Sequence, residues 1–188
     1  MNPMITIAGI SGSLRKDSYN TMLLHAAKEL LPEGVQMNVL SIAELPLYNG
    51  DYDLPIASER PPAVTSFREE LAKVDGLLIV SPEYNYSIPG GLKNAIDWAS
   101  RGDGSPLFNK PVSLMGATIS MWGTVRMQVA FNSVFQIMSM KPVYRPEVAV
   151  AKAHEKFDGN GKFTDEYAKT LIRQNLENLK ELILLYKK

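Results

Sequence analysis

An apolar run ends at Ile10, the residues Ser11-Gly-Ser-Leu-Arg-Lys-Asp-Ser-Tyr-Asn20 follow, and helical periodicity then begins. Small and hydroxylated residues therefore sit where a helix N-terminus opens at the end of a strand. The chemistry suited to that place is the capture of a dianion. Free backbone N–H groups and the helix dipole favour it, Ser13, Ser18 and Asn20 can donate side-chain hydrogen bonds, and Arg15 adds a charge-assisted fork. The segment lacks the Gly-Lys-Ser/Thr ending of a nucleoside triphosphate loop and the Gly-x-Gly-x-x-Gly spacing of a dinucleotide loop. A mononucleotide phosphate fits better. A Cys-based phosphatase loop is removed by the absence of cysteine. An ordinary capped turn, with Ser18 as N-cap and Arg15 in solvent, is the competing reading.

A second stretch follows the apolar run at Gly76 to Ser81 and reads Pro82-Glu-Tyr-Asn-Tyr-Ser-Ile-Pro-Gly-Gly91. Two tyrosine rings and a rigid proline can flank an aromatic heterocycle, while the N–H and C=O groups of Glu83 to Asn85 can pair with its polar edge. A stiff turn with surface tyrosines explains the same residues, since Pro, Asn and Gly favour turns anyway. Two such stretches at neighbouring strand ends shift the balance toward a site.

Those stretches need a scaffold that brings strand ends together. Short apolar runs alternate with longer amphipathic segments, the pattern of βαβ units. Strands are expected at Met4 to Ile10, Val35 to Leu40, Gly76 to Ser81, Pro111 to Met115 and Val143 to Val150. The first, third and fourth are nearly continuous in apolar character, as in strands covered on both faces. The second alternates apolar and polar residues, and the fifth carries Pro146, so both read as edges. The result is an α/β fold with a five-stranded parallel sheet in the doubly wound order 2-1-3-4-5 and helices on both faces. Helices are expected at Ser18 to Leu31, Pro62 to Val74, Pro89 to Ser100, Val125 to Met140 and Thr164 to Tyr186. In the last, Thr164 reads as a cap, and Leu171, Ile172, Leu176, Leu179, Leu182, Ile183 and Tyr186 form one stripe. In the third, Leu92, Ala95, Ile96 and Ala99 face the sheet, which leaves Trp98 off that stripe and marks a partner surface. The stretch from Met115 to Met140, rich in methionine with Trp122, Phe131 and Phe135, reads mainly as core, with a subunit interface or a plastic acceptor pocket as the alternatives.

The length of 188 residues suits a single domain spanning 1–188, able to bury roughly 70% of its unfolded surface. Its 20 basic and 20 acidic residues cancel, which argues against nucleic acid or an anionic membrane as the main partner. Without cysteine there is no disulfide, Cys-zinc site or thiol nucleophile, and a reducing cytoplasm is the expected compartment. No metal ligand set stands out, and neither a signal peptide nor a membrane span is expected.

Gly12-Ser-Leu-Arg-Lys-Asp-Ser-Tyr-Asn20 together with Pro82-Glu-Tyr-Asn-Tyr-Ser-Ile-Pro-Gly-Gly-Leu-Lys-Asn-Ala-Ile-Asp-Trp98 resembles the NADPH-dependent FMN reductase family, in particular its bacterial quinone and chromate reductases. The resemblance spans essentially the whole chain. It implies a flavodoxin-like fold, non-covalent FMN, NADPH or NADH as electron donor, and a homodimer or homotetramer. It also implies two-electron reduction of quinones, with looser activity on chromate, azo or nitro compounds. By position it assigns Ser13, Arg15, Ser18 and Asn20 to the FMN phosphate with Leu14 and Tyr19 beside them, and Pro82, Glu83, Tyr84, Asn85 and Tyr86 to the isoalloxazine. A third family loop falls on Gly116 to Gly123, where Ala117-Thr-Ile-Ser-Met-Trp122 stands in place of the more Ser- and Gly-rich run that members often carry. The resemblance sets N–H groups of 116–118, Ala117 and Thr118 included, against the N1 and O2 edge of the reduced flavin.

In such an enzyme the hydride passes from nicotinamide to flavin and then to the acceptor, so the protein supplies binding and orientation and no catalytic triad is needed. His25, inside the first helix, and His154, in a polar loop, read as bystanders. A flavodoxin-type electron carrier is the main rival, but such carriers are strongly acidic and this chain is neutral. A cofactor-free regulatory domain that keeps the fold is the other, because fold alone does not fix function.

Overall fold

The structure, a computed structural model, describes residues 4–187; residues 1–3, on which part of the signal-peptide reading falls, and residue 188 lie outside it. The elements run β1 (Ile5–Ser11), α1 (Tyr19–Glu29), β2 (Val35–Leu40), α2 (Pro62–Lys73), β3 (Gly76–Val80) and α3 (Gly90–Ala99). They continue with β4 (Pro111–Ala117), α4 (Val125–Ile137), β5 (Lys141–Pro142), β6 (Val148–Val150) and α5 (Glu166–Tyr186). Every strand pair is parallel and the order is β2-β1-β3-β4-β5, with β6 also on β4. This is the expected doubly wound α/β sheet.

The period of two in side-chain direction explains why β3 is apolar throughout. Leu77 and Ile79 enter the core formed with α2, α3 and α4, whereas Leu78 and Val80 enter the opposite core, formed with α1 and α5. On α5 the buried stripe is Ile172, Leu176, Leu179 and Ile183, while Tyr186 is exposed. Its N-cap is Asp165, whose carboxylate accepts from the Ala168 N–H, and not the expected Thr164, whose hydroxyl donates to the Lys156 carbonyl. The Lys156 ammonium and that capping N–H hold the Asp165 carboxyl below its ordinary range.

Two further expectations are overturned. The single strand from Val143 to Val150 is broken: β5 pairs at Pro111 and Val112, β6 pairs at Met115 to Ala117, and residues 143–147 bulge between them. Pro146 has no N–H to give a ladder, and the bulge is held from α5 instead, where the Asn175 and Asn178 amides donate to the carbonyls of Pro146 and Arg145. The second concerns Trp98, which is fully buried. It does lie off the sheet-facing stripe, yet the loop after β2 folds over it. The indole N–H donates to the Pro46 carbonyl at 2.7 Å, and the Tyr48 ring meets the indole edge-on at 4.8 Å. Asn94 fastens the same loop through Tyr48 N–H and Pro46 C=O, and Arg60 pairs with the buried Asp53. Trp98 is therefore core and offers no partner surface. Among the described residues no helix is long and apolar enough to cross a membrane.

Candidate functional site

Three loops leave the carboxyl ends of the central strands: 12–18 after β1, 81–89 after β3 and 118–124 after β4. The chain passes from β1 to β2 on one side and resumes at β3 on the other, which makes this edge the topological switch point where a crevice opens. Gly12 and Gly116 allow the loops to close on one another. A Cβ at Gly12 would collide with the Ser81 side chain, and one at Gly116 with the Ser81 carbonyl and Thr124.

In the first loop Ser18 is the N-cap of α1, its hydroxyl accepting from the Asn20 N–H at 3.2 Å. Ser13 accepts from the Arg15 N–H, and the Ser13 N–H leans on Ser11, whose hydroxyl meets Thr21 at 2.8 Å. The N–H groups of Leu14, Lys16 and Asp17 meet no protein acceptor among the described residues. Arg15 is exposed and lies 5.9 Å from the centroid of the Tyr19 ring, which itself packs on Phe157. Leu14 is exposed beside Gly91 at the start of α3. The loop is pinned by its serines and leaves backbone donors and one guanidinium open to solvent, so a capped turn and a place where an anion could bind are compatible.

Asn20 differs from its assignment. It is buried, its Nδ2 donates to the Ala117 carbonyl at 2.9 Å, and its Oδ1 accepts from the Ala117 N–H at 2.8 Å. The side chain closes α1 onto the end of β4 instead of reaching into the crevice. This also engages one N–H expected to face a reduced flavin, and the Thr118 N–H is engaged too, by the Val150 carbonyl. The N–H groups of Ala117 and Thr118 thus already have protein acceptors, whereas Ile119 keeps a free N–H among the described residues.

In the second loop Tyr84 and Ser87 exchange two backbone hydrogen bonds around Asn85 and Tyr86, whose φ angles are 50° and 63°. Positive φ at both central residues is the signature of a tight hairpin turn normally built from Asn and Gly. A tyrosine in that region carries backbone strain of about 1–3 kcal/mol, the kind that persists where neighbours over-determine it. Tyr84 and Tyr86 are exposed and Pro82 is half-buried. The neighbour that fixes the turn is Glu83. Its carboxylate accepts from the N–H groups of Arg126 and Met127 at 2.9 and 3.0 Å, capping α4 from another loop. Between the second and third loops lies a cavity of about 500 Å³ lined by Glu83, Asn85, Tyr86, Thr118, Ser120 and Gly123. A groove of about 610 Å³ between α1 and α5, which includes His25, lies away from these loops.

A family model described as NADPH-dependent FMN reductase matches residues 5–155. The chain belongs to that family. An NAD(P)H-dependent FMN reductase of Pseudomonas aeruginosa is 42% identical over 179 residues, 95% of either chain. The 2-hydroxy-1,4-benzoquinone reductase of a Burkholderia species is 38% identical, covering 86% of this chain and 87% of its own. Among solved structures, the flavoenzyme NAD(P)H:(acceptor) oxidoreductase FerB of Paracoccus denitrificans superposes with a TM-score of 0.84 at 30% identity, covering 96% and 97% of the two chains.

In this member of the FMN reductase family, residues that the sequence did not single out stand in and around the three loops. Ser11 and Thr21 brace the first loop, while Ser120 and Gly123 line the cavity. Arg126 is the most instructive. A cation in the first turn opposes the helix dipole, and that mismatch at the start of α4 was the available signal for an acidic partner or a functional charge nearby.

Proposed function

We propose that the chain oxidises NADPH or NADH and reduces quinones, with bound FMN as the intermediary, and that chromate, azo and nitro compounds are lesser acceptors. The observation that carries this is that one switch point holds both a loop with open N–H donors and Arg15 and, between the loops after β3 and β4, a cavity of about 500 Å³ beside Tyr86. Relatives named for FMN reduction and for quinones support it. Bound FMN would supply two-electron hydride transfer between a nicotinamide and an acceptor.

The residues present fit that group. The open N–H groups of the first loop, the hydroxyls of Ser13 and Ser18 and the Arg15 guanidinium would hold its phosphate, with Leu14 and Tyr19 alongside. Pro82, Glu83, Tyr84, Asn85 and Tyr86 would border the ring through their backbone and the two tyrosines, and Ala117 and Thr118 would close the far side. The test is a visible spectrum with FMN and FAD titrations, followed by NAD(P)H oxidation with a quinone. A yellow protein that prefers FMN and gives parallel double-reciprocal lines supports the reading. A protein that ignores FMN sinks it. Arg15→Ala is expected to weaken FMN about 10- to 150-fold, as loss of a hydrogen bond to a charged group does; unchanged affinity returns Arg15 to solvent.

Pairing of chains belongs to the same proposal, on a face other than Trp98. A groove of about 440 Å³ between α3 and α4 has an apolar side of Ile96, Phe108, Val134, Ile137 and Met138, with Ile137 75% exposed, and a charged side of Lys93, Asp97 and Arg101. Ile137→Glu should turn a sedimenting dimer into monomer. A wild type that sediments as an active monomer removes the pairing.

A further inference from the structure

Arg126 stands beside Tyr86 and Glu83, two residues that line the cavity, in an arrangement that capping of α4 does not require. Its guanidinium lies 4.2 Å from the centroid of the Tyr86 ring and 6.0 Å from that of Trp122, so it sits beside two exposed aromatic rings. The Arg126 side chain is 43% exposed. Tyr86 lines the cavity directly, and so does Glu83. The guanidinium has one long ion pair and no hydrogen bond among the described residues. Its nearest carboxylate oxygen, Glu83 Oε1, is 3.9 Å away, beyond hydrogen-bond reach, while Glu83 Oε2 is engaged by the two helix N–H groups. Among the described residues no hydrogen bond to the Arg126 side chain is formed.

Three physical points converge on what such a group does. A guanidinium against aromatic faces keeps its in-plane donors free, because the contact uses its face and leaves its edge. The stack also fixes the side chain in advance, so little rotamer freedom is lost when a ligand arrives. And Glu83, 3.9 Å from the guanidinium, is largely buried and shares its charge with the start of α4, so the solvent-facing donors of Arg126 stay open to a second anion.

We propose that Arg126 selects acceptors: it binds the anionic group of planar quinones bearing an ionised substituent, a sulfonate, carboxylate or enolate, while the aromatic body enters beside Tyr86. Arg126 contributes affinity for the charged substituent and not the redox step itself. The inference rests on the proposed quinone reduction, and the test separates the two.

The comparison uses a neutral naphthoquinone and its sulfonate, with wild type, Arg126→Gln and Arg126→Lys. Arg126→Gln should lose about 10- to 100-fold in kcat/KM for the sulfonate, as when a charge-assisted contact is removed. The neutral quinone should keep its rate and NADPH its KM, and Arg126→Lys should recover part of the loss. A second readout needs no turnover. Naphthalene sulfonate, which is not reducible, should quench the fluorescence of the exposed Trp122 in wild type, with affinity falling in Arg126→Gln by a similar factor. Equal losses for both quinones would show that Arg126 only steadies Tyr86, and a raised NADPH KM with unchanged sulfonate kinetics would assign the fork to the donor; either overturns the proposal. If wild type reduces neither quinone while Arg126-dependent sulfonate binding persists, the quinone-reductase reading fails and the anion site stands.

Discussion

Trp98→Ala is expected to lower stability by about 3–5 kcal/mol, the range for truncating a large buried aromatic, and to leave chain association unchanged in whatever protein remains folded. For a chain of this size that corresponds to a fall in Tm of about 6–20 °C. The magnitude follows from what surrounds the indole. It is fully buried, it donates to the Pro46 carbonyl, and it carries the Tyr48 ring on its edge. Truncation leaves a cavity beneath the loop after β2 and removes the donor that fixes that loop. Because Asn94 also ties the loop to α3, the loss should loosen the loop before it unfolds the sheet. Trp98→Phe keeps most of the volume without the N–H and should fall between the two. Denaturant unfolding measures the first claim and sedimentation the second. Unchanged stability with lost association would place Trp98 in an interface after all.

The Trp98 case shows where reading from sequence stops. Periodicity along α3 does report which face meets the sheet, and Leu92, Ala95, Ile96 and Ala99 are buried there as expected. It cannot report that a loop 52 residues earlier supplies a second cover, since loop paths carry no period. The sheet itself was legible. Continuous apolar runs in β3 and β4 mark strands covered on both faces, and alternation in β2 marks an edge, because side-chain direction repeats every two residues. The break between β5 and β6 was half legible: Pro146 announced an edge, but the support that makes the bulge comes from α5.

For the candidate site, residue types in the first two loops marked the switch point correctly, while the roles of individual side chains were less readable. Glu83 and Arg126 are 43 residues apart in sequence, and their tie depends on how α4 begins. The expectation for Glu83 concerned its backbone. Its carboxylate instead caps a helix and thereby couples the second loop to the third. The same lesson applies to the first loop, where the Ser18 cap and the open N–H groups are compatible features of one turn.

Asn20→Ala is expected to cost about 2–4 kcal/mol of stability in protein free of flavin, because it leaves both backbone groups of Ala117 without their partner in a buried setting. The structural basis is a reciprocal pair: the amide Nδ2 donates to the Ala117 carbonyl while Oδ1 accepts from its N–H, across 97 residues of sequence. This clamp joins the first turn of α1 to the end of β4, so its loss should free the loop that follows Ala117 and weaken FMN binding as a secondary effect. Asn20→Asp sharpens the test. A carboxylate still accepts from the Ala117 N–H, but its second oxygen is set against the Ala117 carbonyl, so only half of the clamp survives and repulsion is added. Family resemblance assigned Asn20 to the FMN phosphate, and the two roles separate cleanly in the absence of flavin. A phosphate ligand contributes nothing to the stability of flavin-free protein, whereas a clamp contributes all of its effect there. Denaturant unfolding of the flavin-free wild type and both variants, set beside their FMN titrations, decides between them. Loss of flavin affinity with unchanged flavin-free stability would return Asn20 to the phosphate and dismiss the clamp as incidental.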